Sequence, residues 1–185
     1  MDMKVNYFYL WVAMSLFIAL SSACQSRERD QAGEGSEGMT VQLSSSAFRD
    51  GEAIPQKYTC DGEDVSPQLS WSGLPQDTKS LALIVDDPDA PAGTWVHWVL
   101  YDISPSESSL PEGAQGLGTE GNTSFRETGY GGPCPPKGKP HRYFFKLYAL
   151  DRTLKLKPGA TKSDLEKAMQ GHILAQGQII GTYGR

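Results

Sequence analysis

From residue 39 onward, short apolar runs alternate with clusters of glycine and proline. Each run fits one strand of ordinary length, and few are long enough for several helical turns. That punctuation is an all-β signature. Residues 81–85 (LALIV) are continuously apolar, as expected of a strand buried on both faces. Residues 94–101 (TWVHWVLY) and 143–150 (YFFKLYAL) are rich in aromatic and β-branched side chains and read as central strands. Residues 40–43 are a candidate first strand and residues 178–183 a candidate last one. One helix is expected, over residues 163–170. There Ser163 and Glu166 have capping-box spacing, Gly171 suits a stop, and Leu165, Ala168 and Met169 share a face.

The first 38 residues follow a different logic. Lys4 precedes residues 7–20 (YFYLWVAMSLFIAL), an apolar run too short to span a bilayer comfortably. Ser21, Ser22 and Ala23 supply a small-residue cleavage region, so residues 1–23 read as a secretory signal peptide. Cys24 follows directly and resembles the lipidated cysteine of a bacterial lipobox, although Ser21 stands where that pattern prefers leucine. Residues 25–38 hold nothing that buries apolar surface and read as a flexible tether. The expected organisation is therefore a signal peptide (1–23), a lipidated Cys24 with its tether (24–38) and one domain (39–185). The expected location is the cell envelope, with the anchor in a membrane. If the cell has two membranes, Gln25 after the cysteine points to outer-membrane sorting.

The net charge of −5 is spread along the chain, and no basic run occurs, only local pairs such as Arg27 with Arg29 and Lys137 with Lys139. A nucleic-acid partner is not expected, because phosphate backbones require clustered Lys and Arg. Apart from Cys24, two cysteines remain, Cys60 and Cys134. In an exported domain they permit a disulfide, and two buried free thiols are the alternative.

Four segments carry polar groups that sit oddly against an apolar background. Asp86, Asp87 and Asp89 follow the buried run directly, with Pro88 and Pro91 holding the backbone. His97 lies inside an apolar strand, where alternation puts it with Trp95, Val99 and Tyr101. His141 and Tyr143 are two apart and share a face, placing an imidazole beside a phenol. Residues 129–136 (GYGGPCPP) make a rigid loop whose glycines let backbone N–H groups approach a ligand. Each has an ordinary reading as turn, core or loop. Together they describe a few polar groups converging on an apolar wall, as small-ligand sites do. The long irregular stretches 51–67 and 113–140 flank these segments, as functional loops do.

The same residues resemble the phosphatidylethanolamine-binding protein family, also known as Raf kinase inhibitor-like proteins. Residues 87–91 (DPDAP) followed by His97 and Trp98 are similar to its first signature. Residues 131–136 (GGPCPP) followed by His141, Arg142 and Tyr143 are similar to its second. Residues 58–62 (YTCDG), 65–71 (VSPQLSW) and 181–183 (GTY) resemble its bacterial and archaeal branch. The resemblance implies a large antiparallel sheet packed with a smaller one, a C-terminal helix and an anion pocket. It carries over Asp87, His97, Gly132 (through its N–H), His141 and Tyr143 as pocket residues, with Asp89 and Pro91 shaping the wall. It also implies phosphate-like anions or phospholipid head groups as ligands and, as in some members, a kinase or protease as a protein target.

A bare Asp87 carboxylate cannot face an anion, since like charges repel. Asp87 is expected either to orient a histidine or to be protonated. No cofactor is expected. A zinc or iron enzyme built on the His/Asp cluster is the alternative, although no compact motif such as HExxH is present. Hydrolysis through a serine is not expected, because no G-x-S-x-G occurs.

Overall fold

The computed structural model describes residues 39–185. The signal peptide, Cys24 and the tether expected from the sequence lie outside the described residues. In chain order the elements are β1 (Met39–Thr40), β2 (Gln42–Ser45), a 3-10 turn (Gln56–Tyr58), β3 (Leu69–Ser72), β4 (Ser80–Asp87), β5 (Trp95–Ile103), β6 (Ser109–Leu110), β7 (Thr119–Glu120), β8 (His141–Leu150), α1 (Lys162–Met169) and β9 (Ile173–Tyr183). They form a six-stranded sheet in the order β1-β9-β8-β4-β5-β7 and a three-stranded sheet in the order β2-β3-β6. Every pairing is antiparallel except β1 with β9.

The continuous apolar run lies in β4, which is buried along its whole length. One face of β4 sends Leu81, Leu83 and Val85 into the core between the sheets. There they meet Leu100, Phe145 and Ile179, with Leu69, Trp71 and Leu110 of the small sheet closing the other side. The opposite face sends Ala82 and Ile84 toward Val99, Tyr101 and Leu150, covered by Leu165 and Met169 of α1. Small sheet, large sheet and helix therefore form three layers, and β4 belongs to both cores. At about 1.5–3 kcal/mol for each large apolar side chain removed from water, these two cores supply the main drive to fold.

Local detail departs from the sequence expectation in three places. The helix cap is Thr161, whose Oγ1 accepts from Asp164 N–H (3.2 Å) while the Asp164 carboxylate accepts from Thr161 N–H (3.0 Å). Ser163 and Glu166 have the same spacing but both fall inside the helix. The last strand begins at Ile173 rather than 178, because Gly177 lets it lie against Val41, whose carbonyl oxygen would meet an added Cβ. The segment expected as a first strand is divided between β1 and β2, which join different sheets.

The two long irregular stretches are pinned to each other. Cys60 and Cys134 are bridged, with Cα atoms 5.4 Å apart. The Tyr130 hydroxyl donates to the Tyr58 carbonyl (2.8 Å), and Cys60 N–H donates to the Pro133 carbonyl (3.2 Å). Among the described residues no helix is long and apolar enough to cross a membrane.

Candidate functional site

His97 reaches the site through an irregularity. Val85 pairs with Trp98 and Asp86 with Val96, which leaves His97 as the extra residue of a β-bulge. The expected alternation therefore breaks. Val99 and Tyr101 face α1, while the His97 ring turns to the other side of the sheet, edge-on to Tyr143 with centroids 5.1 Å apart. The start of β8 is regular, pairing His141 with Tyr183 and Tyr143 with Gly181, so His141 and Tyr143 do share one face.

The three aspartates after the apolar run have three different jobs. Asp87 Oδ2 lies 2.7 Å from His141 Nδ1, and its Oδ1 accepts from Asp89 N–H at 2.8 Å. Asp87 thus takes the first of its two expected roles and orients a histidine. Asp89 grips Arg142 with a two-pronged contact (2.8 Å each) and accepts from the Arg142 N–H at 3.0 Å. The Arg142 guanidinium holds the Asp89 carboxyl well below the usual carboxylate range. This clamp fastens the first turn after β4 to the start of β8, beside His141. Asp86 points to the opposite face, toward Lys146 and Lys162.

Asp87, His97 and His141 open onto one cavity of about 280 Å³, whose other walls include Pro91, Trp95, Phe125, Pro135 and Pro136. Phe125 packs edge-on against Trp95 (5.4 Å) and His97 (5.5 Å) and is 39% exposed at the lip. Among the described residues, no lysine or arginine lines the cavity. His97 Nδ1 lies 2.7 Å from the Gly131 carbonyl, which can only accept, so this nitrogen carries the proton. His141 Nδ1 donates to Asp87 in the same way. In both rings Nδ1 is the nitrogen tied to the protein, and the Gly132 backbone also lies close to the His97 ring. Burial pushes the His97 pKa down, opposed by the Gly131 carbonyl and Asp87, so the ring is neutral near pH 7.

Tyr143 lies under this group, 1% exposed. Among the described residues, its hydroxyl is the single buried side-chain nitrogen or oxygen with no hydrogen-bond partner. Burial first, and then the charges of Asp87 and Asp89, push the phenol pKa up, so the hydroxyl keeps its proton.

Gly132 does something other than its expected role. Its N–H donates to Asp64 Oδ1 at 2.7 Å and is not free to meet a ligand. An added Cβ would lie 2.3 Å from that same oxygen and 2.6 Å from the Tyr58 carbonyl. Glycine is needed here for close approach between two loops. Gly132→Ala is expected to cost about 1–3 kcal/mol through overpacking, measured as a shift in the urea midpoint at unchanged m-value.

Of the residues singled out from sequence, Asp87, Pro91, His97 and His141 line the cavity. Tyr143 lies beneath it, and Asp89 and Gly132 support it from behind. Sequence reasoning missed Phe125, which sits in an irregular stretch without periodicity. It also missed Asp64, whose φ of 56° is one that aspartate tolerates better than most residues. An apolar-walled cavity with a few converging polar groups, at the end of a β-sheet, is the arrangement that small-ligand sites share.

Comparison with known proteins places this domain. Residues 44–184 match the family model described as phosphatidylethanolamine-binding protein. A UPF0098 protein of Methanothermobacter thermautotrophicus is 50% identical over 151 residues, covering 78% of this chain and 99% of its own. A UPF0098 protein of Chlamydia muridarum is 51% identical over 148 residues, covering 77% and 98%. The crystal structure of a phosphatidylethanolamine-binding protein homolog from Chlamydia trachomatis is similar with a TM-score of 0.76 and 47% identity, over 80% of this chain and 99% of that one. Escherichia coli YbcL is similar with a TM-score of 0.74 and 32% identity, over 78% and 98%. The chain belongs to the phosphatidylethanolamine-binding protein family.

Proposed function

We propose that this protein is an exported, lipid-anchored binding protein whose cavity takes a phosphate-like anion, either free or in a phospholipid head group. The observation that carries the reading is the Tyr143 hydroxyl, a buried donor with no acceptor among the described residues, beside two imidazoles whose rings are held through Nδ1 by the Gly131 carbonyl and Asp87. A buried hydroxyl without a partner costs about 1–3 kcal/mol, a cost that an acceptor arriving with the ligand removes. Apolar walls suit a small group withdrawn from water. Export is supported by residues 7–24 and by the Cys60–Cys134 bridge, which persists in oxidising compartments. The metalloenzyme alternative has little to stand on. Among the described residues no group of three or more His, Cys, Asp or Glu could hold a metal, and Asp87 is already engaged by His141.

With no lysine or arginine among the described residues of the lining, an anion needs a proton to come with it. Binding should protonate an imidazole. Burial lowers the His97 pKa in the empty site, and a bound anion raises it. Between those two values affinity falls as pH rises, by up to about tenfold per pH unit. Titration calorimetry with glycerophosphoethanolamine, whose phosphodiester does not titrate near neutrality, is expected to show about tenfold weaker binding at pH 8 than at pH 6. Buffers of different ionisation enthalpy should reveal proton uptake. Flat affinity with no proton uptake rejects the charged-imidazole site. Inorganic phosphate in a parallel titration separates a free-anion preference from a head-group preference.

A further inference from the structure

We infer that the Cys60–Cys134 bridge is a thiol–disulfide exchange site whose opening loosens the cavity's hold on its ligand. The inference rests on the cavity reading above. Both cysteines are exposed, and Cys134 itself lines the cavity. The bridge is therefore reachable by a reductant and is also part of the wall.

The other ties between the two loops stop at Pro133. They are Tyr130 to Tyr58, Gly132 to Asp64, and Cys60 to Pro133. Beyond Cys134 come Pro135 and Pro136, which have no N–H to donate. The next backbone hydrogen bond along the chain is Gly138 N–H to the Arg185 carbonyl, at 3.3 Å. Pro135 is buried, so beyond Pro133 the proline wall is held by that packing and by the sulfur of Cys134. Breaking the bridge removes the covalent one of these two fastenings and loosens the wall, while the floor, where His141 and Tyr143 sit in β8, stays in place.

The charges around the two sulfurs differ. Arg185 Nη1 lies 3.8 Å from Cys134 Sγ. Cys60 is followed directly by Asp61, whose carboxylate accepts from Tyr183 Oη at 2.8 Å and pairs with Arg185 Nε at 3.1 Å. Asp61 offsets part of the Arg185 charge, but the cation stands at Cys134 and the anion adjoins Cys60. A thiolate is the better leaving group where a cation stabilises it. A protein dithiol of the thioredoxin class would attack Cys60 Sγ with its thiolate. The S–S bond breaks, and its electron pair leaves on Cys134 beside Arg185. The second thiol of the reductant then attacks the mixed disulfide and releases Cys60. The reductant ends as a disulfide, and the two cysteines gain two electrons and two protons.

The test uses the full chain and is read in two independent ways. Without ligand, the oxidised protein is exposed to glutathione, quenched with iodoacetamide and mapped by mass spectrometry. Glutathione is expected on Cys60 and the alkyl group on Cys134. Reduction by dithiothreitol is expected to be about fivefold slower in Arg185→Ala, with Arg185→Lys partly restoring the rate. Glutathione shared equally between the two cysteines, or an Arg185→Ala rate equal to wild type, overturns the exchange site. With ligand, reduction is expected to weaken glycerophosphoethanolamine binding at least fivefold, reversibly on reoxidation, at unchanged circular dichroism. Unchanged affinity overturns the coupling, and so does loss of the folded spectrum on reduction, which would make the bridge a fold staple. No binding to the oxidised protein sinks the cavity reading instead, and the ligand-free trapping tells that failure apart.

Discussion

Replacing Lys146 and Lys162 together by methionine is expected to lower folding stability by about 3–5 kcal/mol, the usual penalty for stranding a buried charge. The Asp86 side chain is 1% exposed on the helix face of β4. Lys146 Nζ lies 2.8 and 3.0 Å from its two oxygens, and Lys162 Nζ also donates to it. These lysines come from β8 and from the first residue of α1, so the carboxylate ties the helix to the sheet. Each single variant leaves one cation in place and should cost markedly less. Methionine keeps most of the apolar stem of each lysine, so the loss reads on charge and not on volume. At roughly 2–4 °C per kcal/mol for a domain of this size, the double variant should melt about 6–20 °C lower. Adding Asp86→Leu to the pair should recover most of the loss, since a buried ion cluster replaced by apolar groups is often neutral. A double variant within about 1 kcal/mol of wild type would show that water already reaches Asp86.

Tyr143→Phe is expected to move stability and binding in opposite directions. In the empty protein the Tyr143 hydroxyl is desolvated and unpaired, so its removal should raise stability by about 1–3 kcal/mol. On the proposed reading, the same hydroxyl donates to the anion in the bound protein. A hydrogen bond to a charged group is worth about 1.5–3 kcal/mol, so affinity for glycerophosphoethanolamine should fall roughly 10- to 100-fold. The ring and its edge-on contact with His97 remain, which keeps the packing comparison clean. Urea unfolding and calorimetry on the same preparation read both signs. If Tyr143→Phe destabilises the free protein, the hydroxyl has an acceptor after all, and the argument from an orphaned donor fails. If affinity is unchanged, the ligand does not reach the floor.

Asp86 and Asp87 show why the site could be read only in part from the sequence. They are neighbours of the same type, and both lie in a buried strand. Alternation along β4 sends one to the helix face and the other to the cavity. One binds layers together with two lysines, and the other aligns an imidazole. That they must diverge follows from strand geometry. Which of them meets His141 depends on the register of β8, a strand more than fifty residues downstream.

The chain's own pattern was enough for the all-β class, the doubly buried β4, the strand identity of β5 and β8 and the shared face of His141 and Tyr143. Those properties depend on neighbours within a few residues, where side-chain period and turn chemistry act directly. The family signatures likewise named most of the cavity's polar groups. Folding in three dimensions settled the rest. The bulge turned His97 away from the face shared by Val99 and Tyr101, Asp64 took the Gly132 N–H, and Thr161 displaced Ser163 as cap. Cys60 and Cys134 met across two loops. Each of these outcomes is a choice of hydrogen-bond or covalent partner. Such partners are assigned by which distant segments pack together, and no local periodicity encodes that.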